Sequence, residues 1–161
     1  MKKVSLLLIC LILLMAGCSS KEGGGQSKED EQKYKEDILA YNTFLTNTMD
    51  ETNVLLNQYN TAIDTMYMEN MNANQFGLIV KELIPKSTQI IKSVEKQDYF
   101  HNNIYRFHKD YLVYLNSQHQ LFLDSMEMAN REKVDKSKLR KRYIEIKDSQ
   151  TTLLNSWGTD L

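Results

Sequence analysis

The chain has 161 residues with 20 basic and 21 acidic side chains, a formal charge of −1. That balance lacks the surplus positive charge with which proteins hold nucleic acid. Both cysteines, Cys10 and Cys18, lie in the first 18 residues, so the remaining chain has no disulfide framework and must fold on a hydrophobic core alone.

Residues 1–17 carry the parts of a secretory signal in their usual order. Lys2 and Lys3 come first, then an apolar run from Val4 to Met15, then the small residues Ala16 and Gly17. The run is well short of the ~20 residues that a membrane-spanning helix needs. Cys10 lies inside it and is expected to leave with it. The segment Leu14-Met15-Ala16-Gly17-Cys18 resembles the lipobox of bacterial lipoproteins, with Met15 where leucine is usual. The resemblance implies cleavage between Gly17 and Cys18 and a diacylglyceryl group on the Cys18 sulfur. Two acyl chains anchor stably where one does not. The expected location is therefore the outer face of the cell membrane, with the lipid as the covalent group and no other cofactor. The small, disulfide-free, helical make-up also resembles lipoproteins of Gram-positive bacteria.

Residues 18–31 are polar and include Gly23, Gly24 and Gly25. A stretch with no apolar side chain after Cys18 does not repay the entropy of ordering, and it reads as a flexible tether. Residues 32–161 then form one domain. Tyr34, Ile38, Tyr41, Leu45, Thr48, Thr52, Leu55, Tyr59, Ala62 and Met66 alternate spacings of four and three, which predicts one long helix over about 32–71. A second seam runs through Phe76, Val80, Leu83, Ser87, Ile90 and Val94, with Pro85 expected to kink or split its helix. A third uses Phe100, Ile104, Phe107, Tyr111, Tyr114, Gln118, Leu121 and Met128. A fourth uses Leu139, Tyr143, Ile146, Gln150, Leu153 and Trp157, with Gly158 as its expected stop.

Loops are expected at Asn70–Asn74 and at Asn130–Asp135, the latter with Asp135 or Ser137 as N-cap. A weaker break falls at Gln97–Asp98, with Asp98 as cap. The result is an all-α, antiparallel four-helix bundle with coiled-coil-like seams. A continuous helix from Lys86 to Asn130, giving three long helices, is the alternative.

No glycine-rich phosphate loop, CxxC, HExxH or nucleophile elbow follows the signal. The seams carry neither carboxylate nor histidine, as a di-iron bundle would require, so catalysis is not expected. Four features remain as candidates. His101, His108 and His119 share one helical stripe but lie ~10 and ~16 Å apart along the axis, too far to share an ion. Thr48, Thr52, Gln118 and Gln150 fall at similar heights near mid-bundle, where they set register or hold a small polar ligand. Met66, Met68, Met71, Met126 and Met128 gather at one pole, as gap-fillers in the core or as thioether ligands for Cu(I).

The fourth is a basic run: Arg131, Lys133, Lys136, Lys138, Arg140, Lys141 and Arg142. Positive charge at a helix start opposes the macrodipole, so the helix gains nothing locally from the cluster. Contact with an anionic envelope polymer, lipid headgroups or an acidic face of another envelope protein would account for it, as would an ordinary solvated surface.

Overall fold

A computed structural model describes residues 28–98 and 102–159. The lipobox-like segment, Phe100 and His101 lie outside the described residues. Residues Tyr34–Leu161 form one compact unit. It is an all-α four-helix bundle built from α1 (Lys28–Tyr67, whose first six residues precede the unit), α2 (Ala73–Glu95), α3 (Asn102–Asn130) and α4 (Lys136–Thr159). α2 and α3 are separate helices, so the three-helix alternative does not apply.

Local chemistry accounts for the helix ends. α1 begins at Lys28, four residues before the expected start, because Glu29, Asp30 and Glu31 fill a first turn where negative charge suits the macrodipole. Lys28–Glu31 therefore belong to the helix and not to the tether. At the other end α1 stops at Tyr67. Glu69 takes a left-handed conformation (φ 59°), with its N–H on the Met66 carbonyl and the Asn70 N–H on the Thr65 carbonyl, both at 3.1 Å. This is a Schellman motif. Asn72 then opens α2 with a capping box: its side chain accepts from the Gln75 N–H while the Gln75 side chain accepts from the Asn72 N–H, each at 2.9 Å.

The α3–α4 connection repeats the device. Glu132 has φ 53°, its N–H meets the Ala129 carbonyl at 3.0 Å, and the Lys133 N–H meets the Met128 carbonyl at 3.1 Å. Asp135, not Ser137, caps α4, its carboxylate accepting from the Lys138 N–H at 2.9 Å. Both left-handed positions hold glutamate, where a Cβ is strained and glycine is not. Glu69→Gly and Glu132→Gly should each stabilise the bundle by about 1 kcal/mol. Urea unfolding of the two single variants checks this, with a rise in midpoint expected for both.

Of the two outcomes expected at Pro85, the split does not occur: α2 is continuous from Ala73 to Glu95. Pro85 is exposed, as is Lys81, whose carbonyl loses its helical partner. Gly158 lies within the last turn of α4 instead of closing it. The Asp98 cap lies before the undescribed residues 99–101, and α3 is described from Asn102.

The helices alternate direction. Thr48 and Tyr59 on α1 meet Tyr111 and Ser125 on α3, so these two run parallel across a diagonal. α2 returns antiparallel beside them, with Phe76 against Tyr59 and Ser87 against His119. α4 also runs antiparallel, from Lys136 beside Met66 to Trp157 beside Asn42. The seam residues point inward: Tyr41, Leu45, Tyr59, Phe76, Val80, Leu83, Ile104, Tyr111, Leu121 and Leu139 are all buried. Met49, Leu56 and Ile63, which lie off the α1 seam, are buried too. The reason is that α1 has neighbours on three sides, so its apolar face is wider than a two-helix seam.

Candidate functional site

The basic run divides sharply once its surroundings are known. Arg140 donates to Asn60 Oδ1 at 2.5 Å and to Asp64 Oδ1, and its guanidinium sits 5.5 Å from the Tyr67 ring centre. Arg142 donates to Asp124 Oδ2 on α3. Lys136 donates to the Met66 carbonyl at 3.2 Å and also faces Tyr67. These three cations fasten the start of α4 to α1 and α3. Asp124 feels both effects: burial works to raise its pKa, but the hydrogen bonds from Arg142 and Gln120 outweigh that and hold it below the usual value.

The remainder of the run is exposed. Arg131 pairs within its own helical stretch with Glu127 at 2.5 Å, and Lys141 lies 3.9 Å from Glu145. Lys133 and Lys138 are exposed and make no ion pair among the described residues. Thus the outward charge belongs to Arg131, Lys133, Lys138 and Lys141, at the end of the bundle where α1 and α3 finish. Asn60, Asp64 and Asp124 were not singled out from sequence. Nothing local marks them, because their partners lie far along the chain.

The mid-bundle polar layer is buried as expected: Thr48, Thr52, Ser87, Gln118 and Gln150 are each under 10 % exposed. Tyr111 donates to Thr48 Oγ1 at 2.9 Å, and Thr48 donates onward to the Phe44 carbonyl. Thr52 donates to the Thr48 carbonyl at 2.8 Å, while Gln118 Nε2 lies 3.5 Å from the Thr52 carbonyl. Gln150 donates to Asn53 Oδ1 at 3.0 Å and receives Lys147. Further along the diagonal, Tyr59 donates to Ser125 Oγ at 2.8 Å. These groups largely satisfy one another, which is what fixing the register of α1 on α3 requires. The Tyr114 hydroxyl is the exception. It is buried without a hydrogen-bond partner, and burial raises its pKa well above the usual tyrosine value. The Gln150 amide lies near enough to temper that rise but makes no hydrogen bond to it.

His108 is buried at a three-helix junction, with Nδ1 3.3 Å from Tyr41 Oη on α1 and a hydrogen bond to the Val94 carbonyl on α2. His119 is half-buried, with Nδ1 3.1 Å from Ser87 Oγ. That contact brings serine and histidine together, but Ser87 is 3 % exposed on a helical seam. Burial lowers the pKa of both histidines; for His108 the Val94 hydrogen bond pulls the other way and loses.

The sign of the pH effect follows. The stability from these two neutral rings is fully present above the unfolded value of 6.5 and is lost as pH falls from there through the folded values. The melting temperature should therefore drop between about pH 7.5 and pH 5. His108→Gln with His119→Gln should flatten that drop, measured by circular dichroism.

The methionines do not form a separate cluster at the surface. Met66 is buried, Met71, Met126 and Met128 pack against the core, and Met68 is 63 % exposed. Among the described residues, no group of three or more His, Cys, Asp or Glu side chains is placed to hold a metal ion. Open clefts of about 300–500 Å³ line the helix junctions, the α1–α2 groove between Gln58 and Lys86 among them. No described helix is long and apolar enough to cross a membrane. No protein-family model, curated protein or solved structure matches the chain.

Proposed function

We propose that this chain is a lipid-anchored, extracytoplasmic helical bundle that binds a component of the cell envelope and performs no catalysis. The observation that carries the location is the lipobox-like order Leu14-Met15-Ala16-Gly17-Cys18 after a basic, apolar leader. Cys18 carries the lipid, and the following polar segment gives the bundle reach. The binding surface is the exposed part of the basic run: Arg131, Lys133, Lys138 and Lys141. Its partner is an anionic polymer of the envelope, because several exposed cations at one end of a near-neutral protein attract a polyanion without needing a shaped pocket.

The test is co-sedimentation of residues 28–161 with cell envelope, with and without its anionic polymers. Binding should require the polymers, weaken with salt, and disappear in Lys133→Gln/Lys138→Gln/Lys141→Gln. Arg140 and Arg142 are left intact, since neutralising them would loosen α4 and confuse a folding defect with lost binding. Binding that survives the triple variant, or none at all, would remove the polyanion reading. The anchor is tested separately: Cys18→Ala should abolish acyl labelling, and normal labelling at normal size would end it.

A further inference from the structure

The four helices are not held equally. α2 buries Phe76, Val80, Leu83, Ile90, Ile91 and Val94. Among the described residues of α4 only Leu139, Ile146, Gln150 and Leu153 are buried, and one of these is polar. Besides these and the core-packed Tyr143 and Trp157, a row of polar contacts joins α4 to the bundle along its length. Trp157 donates to Asn42 at 3.2 Å, Gln150 to Asn53 at 3.0 Å, and Arg140 to Asn60 and Asp64, all on α1. Arg142 donates to Asp124 on α3.

Magnitudes separate the two kinds of attachment. A buried aliphatic side chain resists exposure whatever the ionic strength, whereas a partly exposed ion pair contributes little and is screened by salt. The side chains of Arg140 and Asp64 are 26 % and 48 % exposed, and those of Arg142 and Asp124 are 27 % and 31 %. Water and salt reach both pairs.

We propose that α4 is a strap that opens as a unit, before the rest of the bundle, with a free energy set by ionic strength. Its opening uncovers the rings that it now covers. Tyr59 stacks on Tyr143 at 6.3 Å, and Tyr41 and Phe107 meet Trp157 at 4.8 and 4.7 Å. Proteins open locally in contiguous units whose protection reports the contacts holding them. α4 is such a unit, connected to α3 by one short loop. The inference does not depend on the polyanion reading.

The experiment is native-state hydrogen exchange by mass spectrometry on the full chain, purified in a non-ionic detergent, at about 0.1 M and about 1 M NaCl. Over that range the screening length falls from about 10 Å to about 3 Å. Peptides from residues 136–159 should exchange ahead of those from residues 73–95 and 103–129. Raising the salt should speed α4 about fivefold, as expected for two partly exposed pairs, and leave α2 and α3 unchanged. Asp124→Asn should speed α4 at low salt and reduce its response to added salt. If α4 exchanges together with α2 and α3, or at a rate indifferent to salt, the strap does not exist.

Discussion

Replacing Leu56 by aspartate is expected to abolish cooperative folding of the bundle, while Leu39→Asp leaves it intact. Leu56 is 0 % exposed and Leu39 is 68 % exposed, although both are leucines on α1. Truncation of a buried leucine alone costs about 2–5 kcal/mol. A carboxylate placed there is an unpaired charge out of water, which adds several kcal/mol more. The sum is comparable with the whole stability of a small domain, about 5–15 kcal/mol. The check is thermal melting followed by circular dichroism. A sigmoidal melt retained by Leu56→Asp would mean that α1 does not turn this face inward.

The second large effect is expected at Gly77, a buried glycine inside α2. A Cβ there would lie 3.1 Å from Ala129 Cβ on α3 and 4.0 Å from Met126 Sδ. The two backbones approach closely because both positions are small. Gly77→Ala gains helix propensity of about 1 kcal/mol, which a shift of a few tenths of an ångström at Ala129 roughly offsets. Gly77→Leu has no such escape, since its branch enters α3 and forces the helices apart at a cost of about 1–3 kcal/mol. Urea titration should show alanine near neutral and leucine well below the parent. A neutral Gly77→Leu would show that α2 and α3 stand farther apart than described.

Gly77 illustrates what was hidden in the chain. A glycine in a helical pattern is normally a weakness, and no neighbouring residue announces that Ala129 lies opposite. Arg140 and Arg142 were similarly misleading. As a run of positive charge at a helix start they oppose the macrodipole, and a surface function or an ordinary solvated face were the available explanations. In the folded bundle they have a structural reason to be there, Asp64 and Asp124, and only Arg131, Lys133, Lys138 and Lys141 of the run remain turned outward. The proposed binding surface is thus smaller than the run suggests. By contrast, Thr48, Thr52, Ser87, Gln118 and Gln150 were readable as inward polar residues because they interrupt apolar seams at seam spacing.

The sequence by itself determined the helical class and most of the inward faces, while leaving open whether the second and third segments were one helix. Those features follow from a 3.6-residue period and from caps such as Asp135, which act within a few residues of chain. The tertiary structure alone decided that α1 and α3 meet across the diagonal, that Gln150 reaches Asn53, and that Arg140 and Arg142 are spent on α1 and α3. The period tells a side chain which way to point, but not which helix stands there or at what height. Arg140 and Asp64 are 76 residues apart, and only the packing of whole helices brings such distant residues together.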